Sequence, residues 1–201
     1  MTLYDYPASL RGAAFVLNER VNAPEPNSYN SIESGITKRM SNRWSASFSY
    51  FATKNHQFIN AVPATPNQDV YNLDKTWTWG STLSGVATLP WDIQFATFIQ
   101  IKAGTKGERT YVFRSIPNSS TITMRMGERG TLNNPDFRTM NLKFNKRFKG
   151  PYGSIDGTID LFNVFNANTA TGITKASGPT YGYTTGVLAP RVMQLGVKYS
   201  F

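Results

Sequence analysis

The chain has 201 residues, a formal net charge of +9 and no cysteine. That length admits one domain, and the missing cysteine excludes disulfides, thiolate metal sites and a thiol nucleophile. No run approaches the roughly 18 consecutive apolar residues of a membrane helix, so a membrane-spanning chain of this composition has to span with strands.

Residues 1–28 read as an extracellular loop or partial strand, because Leu10 to Val21 alternates poorly and Ala13 to Leu17 fits a short helix equally well. Residues 29–201 read as one β-rich unit. Ile32, Ile36 and Met40 share parity on a first strand from Asn30 to Met40, with Ser34 and Lys38 diluting the signal and a turn expected at Ser41-Asn42. The next strand is cleaner: Trp44, Ala46, Phe48, Tyr50 and Ala52 fall on one face, Ser45, Ser47, Ser49 and Thr53 on the other. Such period-two alternation specifies a strand with one apolar face, and the short connection makes the pair a hairpin.

A polar loop from about Lys54 to Lys75 follows. Trp77, Trp79, Leu83, Ala87 and Leu89 then share a face, Pro90-Trp91 turns the chain, and Phe95, Ile99 and Ile101 continue the pattern. Between about Gly104 and Asp136 a small hairpin is expected from Thr110 to Ile116 and Thr121 to Met126. The third pair places Met140, Leu142, Phe144 and Phe148 beside Ile155, Ile159 and Leu161, joined at Lys149 to Gly153. After a loop from about Ala167 to Pro190, Met193, Leu195, Val197, Tyr199 and Phe201 alternate with Gln194, Gly196, Lys198 and Ser200.

Seven strands result, or eight if Leu10 to Val21 supplies one. The expected fold class is all-β: a segment of an antiparallel up-and-down transmembrane β-barrel with short periplasmic turns and long extracellular loops, the pattern of outer-membrane barrels. Trp44, Trp77, Trp79 and Trp91 are candidates for the aromatic girdle. Trp79 and Trp91 share parity twelve residues apart, which is about 40 Å along a strand and about 30 Å after tilting.

The positive charge raises the question of nucleic acid, but the cations are scattered. Lys38, Arg39 and Arg43 flank one turn and Lys146, Arg147 and Lys149 another, positions from which long side chains reach anionic lipid head groups. The chain is therefore read as having no nucleic-acid partner. Catalysis has little to work with. His56 is the only histidine, expected in a loop and solvated, and no phosphate loop, zinc spacing or nucleophile elbow occurs. Asp156 and Asp160 are expected on the lumen face, paired with Lys143, Arg147 and Lys198. No enzyme activity, cofactor or metal is expected.

The stretch Asp160-Leu-Phe-Asn-Val-Phe-Asn166, followed by Ala189 to Phe201, resembles the carboxy-terminal end of TonB-dependent outer-membrane receptors; its motif positions are Asp160, Asn163, Phe165 and Asn166. Tyr29 to Trp44 resembles the Oar-like subgroup, in which a carboxypeptidase-regulatory-like domain precedes plug and barrel. The resemblance implies a barrel of about 22 strands around a plug, nutrient uptake driven through the TonB complex, and a place in the outer membrane of a Gram-negative bacterium. It also implies that Met193, Leu195, Gly196, Val197, Tyr199 and Phe201 form the signal read by the outer-membrane insertion machinery. On this reading the chain is a carboxy-terminal fragment. It is not transport-competent alone, its plug and amino-terminal strands are missing, and it meets TonB only through that plug. Its other partners are outer-membrane lipid and lipopolysaccharide. The alternative is a self-contained eight-stranded barrel with a structural or adhesion role.

Overall fold

Serine and threonine alternating with aromatic and aliphatic residues leave a segment such as Trp44 to Thr53 no helical stripe, and its side chains sort cleanly only when extended. The computed structural model describes residues 4–10, 26–56, 76–114, 116–118 and 121–201. It is all-β, with antiparallel sheets. The strands are β1 (Ser28–Ser41), β2 (Trp44–His56), β3 (Thr78–Thr88), β4 (Gln94–Lys102), β5 (Thr110–Phe113), β6 (Ile122–Arg125), β7 (Phe137–Gly150), β8 (Gly153–Phe162), β9 (Ala170–Ile173), β10 (Thr184–Val187) and β11 (Val192–Ser200).

Seven of them form one sheet in the order β1-β2-β3-β4-β7-β8-β11, every neighbouring pair antiparallel. β5–β6 and β9–β10 are separate two-stranded ribbons. The expected count of seven describes the main sheet, and the ribbons raise the total to eleven. No closed barrel forms: among the described residues β1 pairs only with β2, and β11 only with β8. The eighth strand considered for Leu10 to Val21 lies outside the described residues except for Leu10, which ends a 3-10 turn (Ala8–Leu10).

Short turns stand at one end of the sheet. Asn42 and Arg43 have φ of 50° and 69°, the left-handed pair of a tight turn matched to strand twist, so the first turn sits one residue later than expected. A 3-10 turn (Pro90–Asp92) joins β3 to β4. Trp91 therefore lies beyond β3 with φ 59°, and its twelve-residue separation from Trp79 does not run along one strand. His56 is likewise corrected. It is buried at the end of β2 rather than solvated in a loop.

The ribbons occupy the long connections at the other end. β5–β6 is the hairpin expected between Gly104 and Asp136; β5 starts at Thr110 as expected but ends three residues early, and β6 is one residue shorter at each end. β9–β10 lies in the segment expected to be loop. The two ribbons are joined by a parallel bridge, Thr110 to Ala176, by Thr110 N donating to Lys175 O (2.9 Å) and by Ser177 N donating to Thr110 O (2.7 Å).

Candidate functional site: the two faces of the sheet

Register carries one parity through all seven strands apart from a shift between Lys38 and Ser41 at the first turn. The ladder row Trp44, Ala87, Phe95, Phe144, Ile159, Leu195 runs unbroken from β2 to β11. Because alternate residues share a face, most of the large apolar residues lie on one side, including Ile36, Phe48, Leu83, Ile99, Leu142 and Ile159, while Phe51, Val86, Phe98, Phe162 and Val192 take the opposite parity. A one-residue slip anywhere would have broken this face. Phe95 and Phe144 meet across β4–β7 with ring centroids 5.2 Å apart and planes tilted by 48°.

Among the described residues no layer covers this side. Among the described residues the only buried hydrophobics are Ala52 and Ile122, whereas Ile36 is 67%, Leu195 67% and Val197 81% exposed. Soluble monomers rarely leave contiguous apolar patches beyond a few hundred Å².

Charge bounds the apolar face with a regular spacing. On β7, Arg138 and Lys146 share its parity eight residues apart, with Met140, Leu142 and Phe144 between them. On the first hairpin, Lys38 pairs with Ala46, and Lys54 stands eight residues beyond Ala46 on the same face. Eight residues are about 26 Å along a strand. Inside these limits the face carries no charged side chain in any of the seven strands. Trp44 lies at the short-turn end, and Trp79, paired with Ala52, at the loop end with Trp77 beside it. Trp91, Tyr152, Tyr199 and Phe201 gather at the short-turn end, where Tyr199 OH donates to Tyr152 O (2.8 Å). The sequence reading passed over Tyr152, which only the turn brings beside Tyr199.

The opposite face is mainly polar, with Phe51, Val86, Phe98, Phe162 and Val192 among its serines, threonines and charged groups, and ion pairs tie part of it together. Arg147 Nε and Nη2 donate to the two carboxylate oxygens of Asp156 at 2.7 and 2.8 Å, a two-point pairing that fixes direction as well as distance. Lys143 stands 3.3 Å from Asp160, and Lys198 is the register partner of Asp156. This is the pairing expected from sequence. With Gln94, Asn145 and Thr158, Lys143, Arg147, Asp156 and Lys198 line a cavity of about 540 Å³. We expect Arg147→Asp to lower the urea midpoint of unfolding and the exchange R147D/D156R to recover part of the loss, Lys198 opposing full recovery. An exchange no better than the single change would show that the pair is incidental.

The motif around Asp160 has a defined structural role. Asn163 (φ 49°) is 5% exposed. Its Nδ2 donates to Ala167 O (3.0 Å) and Ala189 O (2.7 Å), and its Oδ1 accepts from Ala167 N (3.0 Å). Its backbone N–H reaches Asn141 Oδ1 on β7 (3.0 Å). Asn166 (φ 51°) accepts from Arg191 N (2.9 Å). Together the two asparagines fasten the exit of β8 to the entry of β11, while Phe165 is exposed. Of the terminal group, Met193, Leu195, Val197 and Tyr199 lie on the apolar face. Gly196 lies on the other, where a Cβ would collide with Thr158 Oγ1.

No protein-family model, no curated protein and no solved structure matches this chain.

Proposed function

We propose that this chain forms part of the wall of an outer-membrane β-barrel, the carboxy-terminal part of a TonB-dependent receptor of the Oar-like kind, contributing to nutrient uptake without transporting alone. The observation that carries this reading is the uncovered apolar face, continuous across seven strands and backed by an ion-paired polar face. A bilayer covers such a face; the polar side then lines the lumen.

Strand inclination supports it. The ladder row that touches the first short turn at Trp44 meets β11 at Leu195, six residues before Phe201. Five strand steps are about 24 Å across and six residues about 20 Å along. Levelling the short-turn ends thus inclines the strands by roughly 40°, as transmembrane barrels require. The same inclination reduces the 26 Å charge-free stretch to about 20 Å of height, and lysine and arginine stems reaching outward extend it to the roughly 25 Å apolar band. The partners on this reading are outer-membrane lipid, the insertion machinery, and the plug and remaining strands of the receptor.

The test uses the absence of cysteine. Single cysteines at Ser47, Phe48, Ser49 and Tyr50, labelled with an environment-sensitive dye in outer membranes of cells producing the protein, should alternate. Positions 48 and 50 should be quenched by nitroxide lipids and positions 47 and 49 by iodide. Uniform iodide quenching at all four would remove the bilayer from the picture.

A further inference from the structure

Lys38 and Lys146 stand on the apolar face, yet each turns its ammonium group toward the short-turn end. Lys38 Nζ donates to Ser41 O (2.9 Å), Ser41 Oγ (2.8 Å) and Trp44 O (3.0 Å) and sits 3.8 Å from the centre of the Trp44 ring. Lys146 Nζ donates to Trp91 O and lies 5.9 Å from the Phe148 ring. Neither meets a carboxylate among the described residues. Carbonyls and ring faces orient these ammonium groups without neutralising them. Both stand at matching heights: Lys38 is four residues before Asn42, and Lys146 five before Pro151. Arg39, Arg43 and Lys149 add charge at the same turns; of the nearby carboxylates, Asp92 in the neighbouring Pro90–Asp92 turn is paired with Arg43 at 3.3 Å, and Asp156 on the opposite face is paired with Arg147.

We propose that the short-turn end carries a binding collar for anionic phospholipid head groups, with Lys38 over Trp44 and Lys146 beside Trp91 as its two principal contacts. This inference rests on the bilayer-facing reading of the apolar side and deepens it by naming the lipid class. The chemistry follows from position. An ammonium group held where the apolar face ends meets the phosphate plane, and the adjacent rings fill the interfacial layer between phosphate and acyl chain. The occupant is a phospholipid, because the collar lies at the short-turn end, which the proposed orientation places in the periplasmic leaflet rather than among lipopolysaccharide.

The experiment reconstitutes the protein, purified from outer membranes, in phosphatidylcholine vesicles and compares spin-labelled phosphatidylglycerol with spin-labelled phosphatidylcholine at its surface. Wild-type protein should favour phosphatidylglycerol by about fivefold. K38Q/K146Q should cut that preference at least by half, and K38R/K146R should retain it. K54Q/R138Q, at the loop end, should cost less than K38Q/K146Q. Absence of preference in the wild type, no loss in K38Q/K146Q, or an equal loss in K54Q/R138Q each overturns the collar. Protein that stays out of the bilayer in the cysteine experiment fails the barrel reading instead, so the two failures are separable.

Discussion

If the apolar face meets a bilayer as proposed, Leu142→Arg should destabilise the inserted protein by about 2–4 kcal/mol, the cost of a guanidinium at the bilayer midplane of a barrel wall. Leu142 lies midway between Arg138 and Lys146 on β7 and on the apolar face, so on that proposal it is furthest from either level at which a charge reaches water. The same change one residue earlier, Asn141→Arg, points to the polar face and should cost far less, although it also removes the acceptor for Asn163 N. Met140→Arg, nearer the loop end, should fall between the two. Urea titration of folded protein in lipid, followed by tryptophan emission, orders these three. Equal effects at 140, 141 and 142 would mean that the two faces of β7 meet the same solvent.

Asn163→Ala should cost about 3 kcal/mol or more by the same measurement. Three side-chain hydrogen bonds within a nearly buried site disappear, each worth about 1 kcal/mol, with carbonyls left short of donors. The left-handed backbone at φ 49° adds about 1 kcal/mol for a residue with a Cβ and no local hydrogen bond to offset it. Asn163→Gly keeps the backbone conformation and should be milder by that last amount. Asn163→Asp keeps the acceptor for Ala167 N but sets a carboxylate against Ala167 O and Ala189 O, so it should be no better than alanine. A wild-type midpoint in Asn163→Ala would show that the β8–β11 connection holds by ladder pairing alone.

Parity in the sequence was enough to place all seven strands of the main sheet and to choose their apolar faces, because a two-residue period is local information. Turn chemistry was legible to within one residue at Asn42, where Ser41 has no left-handed preference and Asn42 does. The β9–β10 ribbon was not legible. Ala-Thr-Gly-Ile and Thr-Thr-Gly-Val are too short and too small to alternate, and they pair through backbone alone. Lys38 looked like noise in an apolar face; its meaning depends on Trp44 across the turn. Trp91 shows the reverse failure, since equal parity has no meaning once a turn intervenes. Asn163 was recognisable as part of a motif but not as a fastener, because Ala189 is 26 residues away.

Seven is an odd number, and in an alternating antiparallel sheet the first and last strands then point the same way. β1 and β11 are those strands. Rolling this sheet onto itself would bring two co-directional edges together and create a parallel seam in an otherwise antiparallel wall. A wall antiparallel throughout needs an odd complement: one further strand, or three, or any odd number, the last of which returns upward beside β11 and the first beside β1. Each complementing strand must also carry the same inclination and keep its apolar residues in step with the row that ends at Leu195. The existing sheet therefore fixes the direction, the count modulo two and the facing of whatever completes it.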